Sequence, residues 1–268
     1  MFGLDMEKLA EVSGTLNLHS MSETELQQAI ADSANREVGT LEGYDCKECL
    51  NRGYFHRVGE DGKIRTEECK CMEIRRNRRI LEKSGLSDML SRYTFENWKE
   101  REPWHTKAKE MAFRYAQERR GWFVMAGSVG AGKTHLCTAL CGELMEQGVP
   151  VRYALWRDLV TRAKAVVNDD AEYQKIVAPL KKVKCLYIDD MFKTGKGEAP
   201  TVGDVNLAFE IINHRYNDAG KLTIISTERT AEQILGIDEA TGSRIYERAK
   251  EFYFPLSGKK NWRLEATV

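Results

Sequence analysis

The sequence predicts an α/β protein in which a parallel sheet carries helices on its faces, preceded by a small cysteine-rich module. Three observations carry that expectation. From Leu86 onward, short apolar strands recur at helix-sized intervals. A glycine-rich run, Gly127-Ser-Val-Gly-Ala-Gly-Lys-Thr134, stands between one such strand and a helix. Ahead of them, Cys46, Cys49, Cys69 and Cys71 crowd into one short stretch. Apolar strands spaced by helices are the pattern of a parallel sheet buried on both faces.

At 268 residues the chain has room for one sizeable domain and a smaller one, and the change of pattern divides it into residues 1–85 and 86–268. An apolar fraction of 42% suffices for a real core. No apolar stretch reaches the roughly 18 residues of a membrane span, and the start lacks the basic and apolar regions of a signal peptide. The expectation is a soluble, cytoplasmic protein with no membrane partner. Basic and acidic residues balance at 41 each, yet residues 1–45 hold only Lys8 and Arg36 against nine acids, whereas residues 46–85 hold eleven basic residues against seven. Opposite local fields suggest different partners for the two stretches, although charge runs are often simply solvated faces.

Taken in order, Ser22-Glu-Thr-Glu25 opens a capping box, and Leu26, Ala29, Ile30, Ala34 and Val38 follow at the spacing of an amphipathic helix that ends near Gly39. Next, Cys46-x-x-Cys49 and Cys69-x-Cys71 flank two short strands joined by the turn Gly59-Glu-Asp-Gly62. In a reducing compartment such a cluster argues for metal rather than disulfides. Four thiolates at the base of a hairpin make a closed tetrahedral zinc site, one that folds a module too small for its own core. The tight Cys-x-Cys pair departs from the usual two-residue spacer, which leaves His56 open as a substitute ligand. Residues 72–81 then form a helix with four arginines, able to lie along phosphates or an acidic partner, or to serve as a charged linker. Cys137, Cys141 and Cys185 lie in apolar contexts and read as packing residues.

Strands are predicted at Trp122–Ala126, Val151–Ala154, Cys185–Asp189, Leu222–Ser226 and Glu251–Pro255. Gly127, Gly132, Lys133 and Thr134 fit the phosphate-loop pattern G-x-x-x-x-G-K-T, with the strand before it and the helix after it that the pattern requires. The glycines let the backbone wrap phosphates, so that the amides of Gly130, Ala131, Gly132, Lys133 and Thr134 face negative charge at a helix N-terminus. Lys133 is placed to reach β- and γ-phosphates and Thr134 to ligate magnesium. Asp189 and Asp190 end the next strand but one; the first can hold the magnesium shell and the second can polarise water. Ser226 or Thr227, at the end of a third strand, can sense a γ-phosphate. Arg244 and Arg248, four apart on one helix face, read either as surface ion-pair formers or as an arginine finger acting on a neighbour's site.

Together these residues resemble the AAA+ helicase loaders of the DnaC and DnaI type, grouped with the transposition ATPase IstB. The likeness runs over nearly the whole chain: cysteine ribbon, basic helix, the lead-in Tyr93-Thr-Phe-Glu-Asn-Trp98, Walker A, Walker B Ile188-Asp-Asp190, sensor strand and the arginine helix Gly242–Lys250. The resemblance implies a five-stranded AAA+ P-loop core that binds ATP through Gly127, Ser128, Val129, Gly130, Ala131, Gly132, Lys133, Thr134, His135 and Asp189. It implies magnesium at Thr134 and Asp189, and Asp190 as the catalytic acid where many relatives have Glu. Thr227 aligns with a sensor position that is often Asn, and one of Arg244 and Arg248 would complete a neighbour's site. About 20 residues follow Arg248, too few for a C-terminal helical lid, which these loaders also lack.

By the same resemblance the N-terminal region would bind a hexameric replicative helicase of the DnaB type, and the protein would deliver it onto single-stranded DNA. In the loaders the helices near Trp156–Val167 and Ala171–Val177 touch single-stranded DNA, and Arg162, Lys164 and Tyr173 are the groups available for it, although ordinary sheet-covering helices would look much the same. The alternatives are an IstB-like ATPase acting with a transposase on double-stranded DNA, and a zinc-ribbon binding module that does not hydrolyse ATP. The cysteine ribbon favours the loader, since IstB-like proteins generally lack one.

Overall fold

The computed structural model describes residues 22–83, 87–195, 198–256, 258–262 and 264. The chain divides after Arg75 into two compact units.

In the first unit, helix α1 (Glu23–Arg36) starts on the expected capping box: Glu25 N–H donates to Ser22 Oγ (3.3 Å) and Ser22 N–H to Glu25 Oε2 (2.7 Å). The helix stops three residues before Gly39 because the cysteine loop claims the following backbone. Gly39 N–H donates to Leu50 O and Leu41 N–H to Asn51 O, and a Cβ on Gly39 would collide with the Asn51 backbone. Strands β1 (Tyr54–Val58) and β2 (Ile64–Glu68) pair antiparallel, Tyr54 opposite Glu68 and Val58 opposite Ile64. The open edge of β1 is covered from α1, where the Asn35 amide pairs with both backbone groups of His56 (Nδ2 to O, 2.8 Å; N to Oδ1, 3.0 Å). Helix α2 (Cys71–Lys83) begins on the last cysteine.

The second unit holds α3 (Ser87–Arg92), α4 (Pro103–Glu118), β3 (Trp122–Gly127), α5 (Lys133–Glu146), β4 (Val151–Leu155), α6 (Trp156–Ala165) and α7 (Asp170–Lys182). It continues with β5 (Cys185–Asp189), α8 (Val202–Tyr216), β6 (Leu222–Thr227), α9 (Ala231–Ile237), α10 (Glu239–Ala249) and β7 (Tyr253–Leu256). The five strands form one parallel sheet in the order β4-β5-β6-β3-β7. Successive residues of a strand point to opposite faces. In β3, Phe123 and Met125 accordingly pack with Tyr115 of α4 and Leu136, Leu140 and Leu144 of α5, whereas Trp122, Val124 and Ala126 pack with Leu207 and Ile211 of α8 and Ile245 of α10. With both faces covered, the strands are mostly apolar, which is why their positions are plain in the sequence.

Helix α7 runs five residues beyond the expected Val177, passing Pro179. The two helices after β4 are tied to α8. Lys164 bonds Thr201 Oγ1 (2.9 Å) and pairs with Asp204 (2.7 Å), while Tyr173 and Lys181 hold Glu210 at 2.6 and 2.5 Å. Two of the three groups expected for DNA contact are therefore engaged within the fold. Under the sheet lies Arg215, fully buried, donating to the carbonyls of Leu180 (2.8 Å), Val183 (2.9 Å) and Leu222 and to Thr223 Oγ1 (3.0 Å). One guanidinium thus satisfies the carbonyls where α7 ends and β6 begins, which a buried backbone requires.

No helix among the described residues is long and apolar enough to cross a membrane.

Candidate nucleotide site and cysteine cluster

In the second unit the loop after β3 turns on Gly130 (φ +71°) and Gly132 (φ +90°), both left-handed. Space is as restrictive as conformation: a Cβ on Gly132 would lie 2.8 Å from the Trp98 ring, and one on Gly130 would overlap Asn261. The same loop is held from outside by the segment after β7. Ser128 N–H donates to Leu256 O (3.2 Å), Lys259 N–H to Ser128 Oγ (3.1 Å) and Trp262 N–H to Gly130 O (3.1 Å), while the Arg101 guanidinium stacks on the Trp262 ring at 4.8 Å.

Lys133 is 6% exposed and donates to the carbonyls of Gly127 and Ser128, both at 2.8 Å. Among the described residues no carboxylate pairs with it, and burial pulls its pKa below the ordinary lysine value. A buried cation with no directly paired carboxylate among the described residues, at the N-terminus of α5 and inside a glycine turn, fits a polyphosphate anion. Val129 is exposed and Ala131 is buried within the loop. His135 is held by the lead-in segment: its Nε2 lies 3.0 Å from Thr94 O, and its ring stacks on Tyr93 at 4.8 Å, joining that segment to α5.

The ends of β5 and β6 meet beside the loop. Asp189 Oδ1 accepts from Thr134 Oγ1 (3.1 Å), Tyr187 OH (2.7 Å) and Ser226 Oγ, and its Oδ2 accepts from Tyr153 OH (3.1 Å). Four hydroxyls thus fix this carboxylate next to Thr134, the donor set that suits a magnesium ion with a partly hydrated shell. Asp190 takes a left-handed backbone (φ +54°), as does Phe192 (φ +60°). That turn brings Lys193 Nζ to 3.2 Å from Asp190 Oδ2 and 2.5 Å from Glu228 Oε1. Burial, and then the charge of Asp189, push the Asp190 pKa above the usual carboxylate range, against the pull of Lys193. Thr227 is fully buried, its hydroxyl donating to Met191 O (2.7 Å) and accepting from Arg229 N–H (3.1 Å). Gly127, Val129, Lys193 and Glu228 line one open cleft of about 880 Å³.

Arg244 lies against the rings of Phe209 (5.3 Å) and Tyr216 (5.5 Å) and donates to Ala240 O (2.6 Å). Arg248 donates to the carbonyls of Asp218 (3.4 Å) and Ala219 (3.0 Å). Among the described residues neither arginine bonds to the phosphate loop of its own chain.

In the first unit the four cysteines converge, Cys46 Sγ on Cys69 Sγ at 3.8 Å and Cys49 Sγ on Cys71 Sγ at 3.5 Å, with all four sulfurs within 4.8 Å of one another. A tetrahedral zinc with bonds of about 2.3 Å needs sulfur edges of about 3.8 Å, so the thiols fit that ion. His56 is not among them; its Nδ1 lies 3.3 Å from Thr66 Oγ1. The knuckle after Cys49 uses left-handed Leu50 and Asn51, and Gly53 N–H donates to Cys49 Sγ (3.2 Å). Arg75, one of the four arginines assigned to a basic face, is buried instead, where it donates to the carbonyls of Glu42 and Tyr44 (2.6 Å) and to Asn51 Oδ1 (2.9 Å).

Sequence reasoning missed Tyr153, Tyr187, Lys193, Glu228, Arg75 and the segment beyond β7. Glu228 directly follows the serine and threonine that end β6, which was a local signal. Tyr187 and Lys193 lie within three residues of the acids they touch, yet a tyrosine or lysine at that spacing marks no site by itself; Tyr153, Arg75 and the segment beyond β7 act across long separations and left no signal.

A parallel sheet in which β3 runs through a glycine turn into a helix, with a carboxylate at the end of β5, one strand removed from it, bonded to the threonine of that turn, defines a P-loop nucleotide-binding protein. Solved structures agree on the fold. The crystal structure of DnaI matches with a TM-score of 0.51 at 22% identity, over 63% of this chain and 91% of that one. AMPPCP-bound DnaA from Aquifex aeolicus also matches at 0.51 and 22%, over 66% of this chain and 54% of that one. The chain belongs to the family described as IstB-like ATP binding protein, whose model matches residues 62–248. It is 32% identical over 237 residues to the phage-like element PBSX protein XkdC of Bacillus subtilis, covering 83% of this chain and 87% of that protein. To the replicative helicase loader DnaC of Escherichia coli it is 27% identical over 140 residues, about half of each chain (49% and 56%).

Proposed function

We propose that the protein is an ATP-dependent loader that binds a hexameric replicative helicase and delivers it onto single-stranded DNA. The observation that carries the reading is the joined pair of Thr134 and Asp189 beneath a buried, unpaired Lys133, in a chain similar to DnaC along half its length. Lys133 and the loop amides bind the β- and γ-phosphates, and Thr134 and Asp189 hold magnesium. That ion, when bound, offsets charge on the transferring phosphoryl group. Asp190 accepts a proton from the water that attacks the γ-phosphorus, and the bond to the β-phosphate oxygen breaks to leave ADP and phosphate. Arg244 or Arg248 of a neighbouring copy completes the site, so that ATP binding draws copies together and hydrolysis releases them. The four cysteines hold zinc and fold the module through which the helicase is engaged.

A loading assay tests this. Lys133→Ala should still bind helicase yet lose ATP-dependent loading by about a hundredfold or more; normal loading by that variant overturns the ATP switch. The family match itself favours a second reading, an ATPase acting with a transposase. Recovery of a transposase rather than a helicase in a pull-down would decide for it.

A further inference from the structure

Three features of the second unit lie outside the roles assigned above. One is the strap formed by residues 258–262, which supports the phosphate loop from behind. Another is buried Arg215, which satisfies carbonyls. The third is Lys193, and it alone faces the cleft that the phosphate loop opens into.

Thr227, at the position expected to feel the γ-phosphate, has its hydroxyl committed to Met191 O and the Arg229 amide, and its residue is fully buried. Ser226 is likewise committed, to Asp189 and the Asp190 amide (3.0 Å). The ends of β5 and β6 therefore present no free hydroxyl from these two residues. What they present is a cation. We infer that Lys193 is the γ-phosphate contact of this site, parked between Asp190 and Glu228 and transferred from them to the triphosphate when it binds.

Several observations support the assignment. The turn from Asp190 to Lys193 is built on two left-handed non-glycine residues and closed by the Lys193 amide donating to Asp190 O (2.9 Å). Such backbone is sparsely populated by non-glycine residues and clusters at functional sites. Lys193 lines the same cleft as Gly127 and Val129 of the phosphate loop. Glu228 and Asp190, the carboxylates that hold Lys193, also act on Lys133 against its burial, so the two lysines share one electrostatic environment. Lys193 is also only half-buried, and four rotatable bonds let its ammonium move without backbone change. Transfer to the phosphate frees the Asp190 oxygen that Lys193 now occupies, so one movement would both detect ATP and release the acid that activates water.

The inference rests on the ATP reading above, and the test separates the two. Calorimetric titration with magnesium compares ADP with the non-hydrolysable AMPPNP, for wild type, Lys193→Ala, Lys193→Arg and Glu228→Gln, with thermal melts as a control for folding. In Lys193→Ala, AMPPNP affinity should fall by about tenfold or more, the range of one charge-assisted hydrogen bond, while ADP affinity stays unchanged. Lys193→Arg should keep most of the discrimination. Glu228→Gln, which removes one of the two competing carboxylates, should raise AMPPNP affinity and leave ADP affinity alone. Equal losses for both nucleotides in Lys193→Ala, or an unchanged preference for AMPPNP, overturn the assignment while leaving the ATP reading intact. Wild-type protein that binds neither nucleotide overturns both.

Discussion

At the scale of single residues, the two adjacent acids differ in environment more than in chemistry. Asp189 is buried among four hydroxyl donors, whereas Asp190 meets one cation and otherwise carries the burden of burial and of its neighbour's charge. Its pKa is raised, so the proton-accepting form is lost at a higher pH than for an ordinary carboxylate. The sign follows: if Asp190 is the base, kcat/KM falls as pH drops through that raised value, giving an acidic limb above the usual carboxylate range. Lys193 pulls the value down, so Lys193→Ala should move the limb to still higher pH. A profile of kcat/KM over pH 4–8, which reports the free protein in which Lys193 still pairs with Asp190, measures both shifts; a flat profile would remove Asp190 from proton transfer. Of this site, the sequence showed what depends on neighbours in the chain. The glycine spacing, Lys133, Thr134 and the acid pair are local patterns. The pairing of Lys193 with Glu228 spans 35 residues, and it depends on left-handed conformations at Asp190 and Phe192 that neither side chain announces.

At the scale of elements, the hairpin β1–β2 carries a cysteine cluster that fits a metal. Its strands are mostly exposed, with Arg65, Thr66, Glu67 and Glu68 all on the surface, and its four buried cysteines are the nearest thing to a core. Burial pushes the Cys69 and Cys71 thiols above their ordinary pKa. A divalent ion that displaces their protons converts that burden into coordination bonds. Chelation of zinc, or Cys71→Ser, should therefore unfold this hairpin and the start of α2 while the parallel sheet keeps its melting transition. One equivalent of zinc released to a colorimetric chelator, with cleavage by protease confined to residues 40–75, is the expected result; unchanged protection after complete zinc removal would show the thiols pack unaided. The spacing of the cysteines and the turn at Gly59–Gly62 announced the hairpin. The role of Arg75 was hidden, because helical periodicity in 72–81 gives each arginine the same appearance and only the fold shows which one turns inward.

At the scale of the whole molecule, the phosphate loop and the paired arginines belong to one chain but serve different sites if the finger reading holds. Each copy would then offer a nucleotide pocket on one surface and Arg244 or Arg248 on another, a head-to-tail arrangement in which residue and target never coincide in one copy. The arginines fit that use differently. Arg244 lies over two rings, whereas Arg248 holds the carbonyls of Asp218 and Ala219, contacts that an anion could displace. Mixing experiments follow from the geometry. Lys133→Ala keeps the finger and loses the pocket; an arginine variant keeps the pocket and loses the finger. Each alone should hydrolyse ATP at background. Random 1:1 assembly makes about a quarter of the junctions competent, because an intact pocket must meet an intact finger. Partial recovery of turnover on mixing, near that fraction of wild type, should occur with the variant of whichever arginine is the finger. The variant of the other should be active alone. No recovery with either arginine variant, at concentrations where wild type is active, would mean that each site is completed within its own chain.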